Sequence, residues 1–184
     1  MRPQEVSLGA LGVSAWVQHD YYQTPPAITL AGSISSGAVL TWAVQATADD
    51  PATPSDRDVF ISQSTTVITV TDPGPSTRLG THGLSVGDYV SLIGTSHAGV
   101  KGEYTVASVI SPTQYTLTSA VSQTISGLVC QAITCRVFTH PSLTGQTGRN
   151  QGSWAFPVRA SRLNVTAYTS GIVSLEIIQG GLSS

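Results

Sequence analysis

The chain has few charged side chains. They make up 10% of its 184 residues, whereas about a quarter is ordinary for globular proteins. The eight basic residues are one lysine, Lys101, and seven arginines scattered along the sequence. No basic stripe is therefore present to neutralise a phosphate backbone, and we do not expect a nucleic acid partner.

Long apolar runs are also missing. No stretch approaches the ~20 apolar residues that cross a bilayer, so no membrane partner is expected. Residues 8–17 are mildly apolar, but the preceding Glu5 and the lack of a small-residue cleavage site before Gln18 contradict a signal peptide. The sequence predicts a protein made in the cytoplasm.

Cysteine is scarce and poorly placed for cross-linking. Cys130 and Cys135 lie in one predicted strand, which puts them ~16 Å apart on opposite faces, too far for a disulfide. Their spacing is not that of a CxxC metal site, and no histidine cluster lies near them. We expect two reduced, buried thiols, with no metal and no cofactor.

Helix signals are nearly absent, whereas strand signals recur at short intervals. Residues 162–168 and 172–178 alternate apolar and polar around Thr169-Ser170-Gly171 and predict a hairpin. Residues 28–31 and 38–46 predict a second hairpin, in which Trp42 is a core residue. The sequence thus predicts an all-β protein.

Residues 82–118 predict a small β-module with strands at 89–93, 104–110 and 115–118. The Gly87-Asp88 pair turns the chain, and we expect Asp88 to accept backbone N–H bonds at that corner. His82 is expected to start a turn. A catalytic His82/Asp88 pair is the alternative, but no GxSxG nucleophile motif accompanies it.

The same module resembles a pattern found in virion proteins of tailed bacteriophages, written HGLxxGDxVxxxG, then GxYTVxSV, then YTLT. Two further segments resemble these proteins: residues 20–51, beginning Asp-Tyr-Tyr-Gln-Thr-Pro, and residues 140–171, containing Arg-Leu-Asn-Val-Thr-Ala-Tyr-Thr-Ser-Gly. The resemblance implies a jelly-roll-like β-sandwich formed by residues 1–56 and 129–184. Residues 57–128 would be a small β-barrel-like module inserted at an exposed loop, where insertions are tolerated.

The resemblance implies a place in a virion, assembled in the host bacterial cytoplasm, rather than a reaction. The favoured function is a capsid decoration or cement protein that holds the major capsid protein lattice. Its partners would be the major capsid protein and copies of itself, for example in a trimer. The alternative is a tail or head-fibre adaptor with a host-glycan-binding role, and a tail-associated depolymerase is the third reading.

Aromatic and basic side chains supply the candidate subunit contacts. Tyr21 and Tyr22 are adjacent, so an extended chain directs one ring inward and the other outward. The outward ring, together with Arg149 and Trp154 from the glycine-rich loop at 148–154, is the predicted contact. That loop lacks the strand order of a phosphate-binding loop, so nucleotide binding is not expected.

Catalytic residues are not predicted. A glycosidase needs two carboxyl groups at a fixed separation across a sugar-binding cleft. Asp49 and Asp50 are adjacent and would point to opposite sides of an extended chain. We therefore expect the chain not to be an enzyme.

Overall fold

The computed structural model describes residues 3–19, 27–53, 58–72, 81–93, 97 and 99–180. These residues form thirteen strands and no helix, which confirms the all-β prediction, and so no helix of the described part could cross a membrane. The strands are β1 (Gln4–Leu8), β2 (Gly12–Val13), β3 (Val17–Gln18), β4 (Ala27–Ile34), β5 (Val39–Thr47), β6 (Asp58–Thr71), β7 (Tyr89–Ile93), β8 (Gly102–Ser111), β9 (Gln114–Cys135), β10 (Phe138–Thr139), β11 (Asn150–Trp154), β12 (Ala160–Ser170) and β13 (Val173–Gly180).

The chain divides into two compact units. The sandwich unit comprises Met1–Asp50 and Phe138–Ser184, and the inserted unit comprises Pro51–Val137. The sequence predicted the return to the sandwich at residue 129, whereas the structure has it at Phe138. The reason is β9, whose last residues pair with β6 and β7 and so belong to the inserted unit.

The sandwich unit consists of two antiparallel sheets. Sheet A has the strand order β1-β13-β4-β11, and sheet B has the order β10-β5-β12-β2, with β3 also paired to β12. Apolar side chains at alternate positions of each strand point between the sheets, the arrangement expected of a β-sandwich. The largest buried members of this core include Ile28, Leu30, Trp42, Leu143, Leu163 and Leu175.

The two predicted hairpins are wrong in their pairing, although the strands themselves are present. Strands β4 and β5 lie in different sheets, and so do β12 and β13. The short turn after β4 and the short turn after β12 each carry the chain from one sheet to the other. These two crossings lie side by side, because β13 pairs with β4 and β12 pairs with β5. The crossings are also joined directly, because Ser35 N donates to Ile172 O over 2.9 Å and Ile172 N donates to Ser35 Oγ over 3.0 Å.

Trp42 fills the centre of the sandwich core, as the sequence predicts, and is fully buried. Its ring lies directly against Gly32 of β4, where any Cβ atom would overlap the indole. Its backbone exchanges two hydrogen bonds with Gln146, of 2.8 and 2.9 Å, and its indole Nε1 donates to Gly148 O over 3.1 Å. One residue therefore fixes both the spacing of the sheets, through its side chain, and the loop that precedes β11, through its backbone and its indole N–H.

The inserted unit is a curled antiparallel sheet around a separate core. Its strand order is β6-β9-β7-β8, and β9 pairs with β8 as well, so the 22-residue strand β9 contacts all three of the others. In the described residues this sheet does not close into a barrel. The prediction of three short strands corresponds to β7, β8 and the beginning of β9. The core is formed mainly by Val59, Ile61, Ile68, Val70, Leu92, Tyr115 and Leu117.

Two polar residues hold the turns of the inserted unit, as predicted. Asp88 is buried, and its carboxylate accepts 2.7 Å bonds from Ser85 N and Val137 N. His82 Nδ1 accepts a bond from Leu84 N, and His82 Nε2 lies 3.0 Å from Ser111 O. Both side chains are thus used in structural hydrogen bonds.

The two cysteines are free and buried, which confirms the prediction of separate reduced thiols. Burial, with a smaller contribution from the nearby Asp58 carboxylate, raises the pKa of the Cys130 thiol to about 11. Cys130 is therefore protonated at neutral pH and is a poor nucleophile.

Replacing Gly32 should destabilise the sandwich unit. We expect Gly32→Ala to lower the free energy of unfolding by about 1 to 3 kcal/mol, because the added methyl group forces the buried Trp42 ring to move. Gly148→Ala is the matched control, since a Cβ there meets no atom within 4 Å. Urea unfolding of both variants measures the effect, and equal stability of the two would contradict the proposed contact.

Candidate interaction site

The outer face of sheet A carries a depression of about 440 Å³, which we call the sheet A depression. Small residues of β4, Ala31 and Ser33, line its floor. Charged side chains lie at both of its sides: Glu5 and Glu176 on β1 and β13, and Arg149 just before β11. The depression is thus acidic on one side and basic on the other.

The strand register explains why the two carboxylates meet. Glu5 is directly opposite Glu176, and Glu176 is directly opposite Ala31. Facing residues of an antiparallel pair have Cβ atoms about 5 Å apart, so these two like charges repel each other. Among the described residues no ion pair involves Glu5, Glu176 or Arg149. In the next row, Ser7 Oγ and Ser174 Oγ share a 2.7 Å hydrogen bond.

Arg149 is exposed, and its backbone is held by its neighbours. The preceding carbonyl, of Gly148, accepts the bond from Trp42 Nε1. The following side chain, of Asn150, donates to Gln146 Oε1 over 2.7 Å and accepts from Gln151 N over 2.8 Å. The backbone of Arg149 is therefore held in place at the rim of the sheet A depression.

The other predicted contact residues are Trp154, Tyr21 and Tyr22. Trp154 is only 4% exposed and lies in the core of the sandwich unit, so its prediction as a surface contact is wrong. The cause is the alternation of β11, which turns Trp154 inward against the rings of His140 and Phe138. Tyr21 and Tyr22 lie outside the described residues.

A buried polar chain connects Trp154 to His19. Trp154 Nε1 donates to Ser161 Oγ over 2.9 Å, and Ser161 Oγ lies 2.8 Å from His19 Nε2. Burial lowers the pKa of His19 to about 4, so the ring is neutral at pH 7 and its Nε2 can accept a hydrogen bond from the Ser161 hydroxyl group. Ser161 is fully buried, and this serine–histidine pair therefore has a structural role in the conformation described.

His140 is a second histidine used for structure. Its Nδ1 accepts bonds from the backbone N–H groups of Ser142 and Leu143, each at 3.2 Å, while its Nε2 lies 3.1 Å from Ser153 O. Both His19 and His140 are therefore engaged in hydrogen bonds within the sandwich unit. The described part of the chain contains no group of three or more His, Cys, Asp or Glu side chains placed to hold a metal ion.

A second depression, of about 240 Å³, lies where the two sheet crossings meet; we call it the arch-end depression. Its lining is largely apolar and includes Val39 and Leu40 of β5 and Ala167 and Tyr168 of β12. Val39 is 59% exposed and Tyr168 is 38% exposed. These side chains offer an apolar surface with one accessible aromatic ring.

Sequence reasoning missed both the acidic pair and the arch-end depression. Each glutamate occupies a polar position in an alternating strand, which indicates an outward side chain. The pairing of β1 with β13, however, joins residues about 170 positions apart, and no local signal predicts it. Tyr168 is the last residue of the predicted strand 162–168, and the strand pattern does not predict a depression there.

Comparison with known proteins does not identify a family for this chain. No protein-family model and no curated protein matches the chain. Among solved structures, it is similar to "Phage phi92 endosialidase", with 26% sequence identity and a TM-score of 0.31. The match covers 51% of this chain and 14% of that chain, so the chain spans a small part of that protein's length. A likeness of this size does not establish a common fold or activity.

The burial of His19 predicts a pH-dependent stability. The unfolded chain protonates this ring near pH 6.5 and the folded chain near pH 4, so between these values the unfolded state binds more protons and stability falls as pH falls. We expect His19 to contribute a loss of about 2 to 3 kcal/mol between pH 7 and pH 4.5.

Urea unfolding of the wild type and of His19→Gln at the two pH values measures this contribution. The difference in unfolding free energy between the two proteins should shrink by that amount at pH 4.5. A difference that stays constant with pH would show that His19 does not titrate in this way.

Proposed function

We propose that this chain is a structural protein of a tailed-bacteriophage particle, and that it acts as a capsid decoration or cement protein on the major capsid lattice. The observation that carries the proposal is the correspondence between the resembling segments and the two units. Residues 82–118 fall within the inserted unit, and residues 20–51 and 140–171 fall almost wholly within the sandwich unit. The pattern therefore follows the modular division of the chain.

The composition supports a role in assembly. With 10% charged residues, contacts with other subunits would rely on backbone, hydroxyl, amide and apolar groups. Strands β1 and β11 are the edges of sheet A, and β10 and β2 are edges of sheet B. Such edges can pair with strands of a neighbouring protein. The arch-end depression adds an apolar patch of the kind found at the centre of interfaces.

The proposed partners are the major capsid protein and further copies of this chain. Identical sites repeated over a lattice favour closed symmetric clusters, such as trimers. The particle would be assembled in the bacterial cytoplasm. No catalytic residue, cofactor, nucleic acid or membrane has a part in this proposal.

Tyr168 favours one alternative, a tail or head-fibre adaptor that binds a host glycan. Its partly exposed ring lies in a depression, and exposed aromatic rings can form the apolar surface on which a sugar rests. A glycan array probed with the wild type and with Tyr168→Ala tests this role. Glycan binding that depends on Tyr168 would favour the adaptor.

The stoichiometry of purified virions distinguishes the two locations. For a cement protein we expect a ratio of this chain to the major capsid protein of about one, or about one third, because every equivalent lattice site is occupied. Quantitative gel densitometry measures the ratio. A value near one hundredth would place the protein in the tail or its fibres instead, and absence from the particle would refute the proposal.

A change in the arch-end depression should impair incorporation into the lattice. We expect Val39→Asp to fold with stability within about 0.5 kcal/mol of the wild type, as exposed substitutions usually do. Its copy number per virion should fall by about tenfold or more, since a buried carboxylate at an interface is costly. Val86→Asp is the control, because it makes the same substitution at an exposed valine of the inserted unit. Normal incorporation of Val39→Asp would exclude this surface as the lattice contact.

A further inference from the structure

The sheet A depression separates opposite charges across one face. Adjacent strands are about 4.8 Å apart, so the position of Glu176 is about 10 Å from strand β11 and that of Glu5 about 14 Å. Arg149 lies beyond the start of β11, one row further along the strands. At these separations Arg149 forms no ion pair with either glutamate, as the described residues show.

Such a face is complementary to itself. A twofold rotation about an axis parallel to the strands places β11 of one copy above β1 and β13 of the other. The same operation places β1 and β13 of the first copy below β11 of the second. Both basic ends then face acidic ends, which is the defining property of a symmetric dimer contact. A rotation about the perpendicular in-plane axis would instead bring the glutamates of the two copies together.

The floor of the depression permits close approach. Ala31, Ser33 and Ser174 are small, so a second sheet face can come near without displacing bulky side chains. The repulsion between Glu5 and Glu176 gives the contact a driving force, because a cation placed between two facing carboxylates relieves it. Neither glutamate has an ion pair with another described residue that would compete.

We propose that two copies of this chain bind each other through the outer faces of sheet A, with Arg149 of each copy lying between Glu5 and Glu176 of the other. The face is four strands wide and eight residues long at β4 and β13, which amounts to about 400 to 500 Å² per copy. A standard stable interface buries about 800 Å² per partner. The isolated dimer is therefore weak, and its charges chiefly fix its orientation.

This contact rests on the proposed self-association but gives it twofold symmetry in place of a trimer, and it can be tested on the purified chain alone. Sedimentation equilibrium at protein concentrations from ~10 μM to ~1 mM covers the affinity range of a small interface. We expect the wild type to approach a dimer at the upper end in low salt. In ~0.5 M salt the dimer should weaken, because the Debye length is then only a few ångströms.

Charge reversal gives the decisive comparison. Arg149→Glu alone, and the double variant Glu5→Arg with Glu176→Arg, each create two repulsive contacts in a homodimer. Each should therefore dimerise about tenfold or more weakly than the wild type. When the two variants are mixed in equal amounts, one contact places a glutamate between two arginines and the other places Arg149 between Glu5 and Glu176, so a heterodimer should form. Recovery on mixing also shows that both variants are folded.

Lys101→Glu serves as the matched control, because it makes the same change of charge at an exposed residue of the inserted unit. This variant should dimerise as the wild type does. The proposal is overturned if the wild type stays monomeric at ~1 mM, if Arg149→Glu dimerises normally, or if mixing yields trimers or larger species. Virion stoichiometry is a separate measurement, so failure here leaves the proposed location unaffected.

Discussion

The contact between the Trp42 indole and the bare backbone of Gly32 is the constraint on which the sandwich unit depends. A fully buried tryptophan needs space that only a glycine on the facing sheet provides. The same residue then ties down the loop before β11 through Gln146 and Gly148. Arg149 follows directly in the chain, so the position of a surface charge is determined by the packing of a core side chain. The same residue, Trp42, therefore positions both the core and the candidate site.

The strands of this chain could be predicted from its sequence far better than their partners could. Alternation of apolar and polar residues identifies one buried face for 39–47 and for 160–165, and short turns separate neighbouring strands. A tight turn, however, can connect two strands of one sheet or carry the chain across the core to the other sheet. The sequence around Gly171 is compatible with both, and the crossing is selected by long-range pairing of β13 with β4. Strand β9 is longer than the predicted strand at 115–118 for the same reason, because its pairing with the distant β6 and with β7 extends it to Cys135.

Only the part of the candidate site that lies in one short segment of the sequence could be predicted. Arg149 was identified because a glycine-rich loop exposes its side chains, and the structure leaves it exposed. Trp154, five residues later, is buried because β11 is a strand of the sheet and its alternation directs the indole inward. The acidic pair could not be found, since Glu5 and Glu176 become neighbours only when the first strand joins the last. The charges on this sheet face are thus determined by the order of the strands more than by any local sequence motif.

The two ends of the inserted unit join the sandwich unit at neighbouring strands. Strand β5 leads out to Asp50, and Phe138 of β10 returns directly opposite Ala46 of β5. The segments of the chain that leave and re-enter the sandwich are therefore hydrogen-bonded neighbours, and an inserted segment needs termini that lie close together. A short loop could replace residues 51–137 without breaking a strand of the sandwich, and a foreign domain could be carried there. A change in the inserted segment would then alter the surface that the chain presents while leaving the pairing of the sandwich strands unchanged.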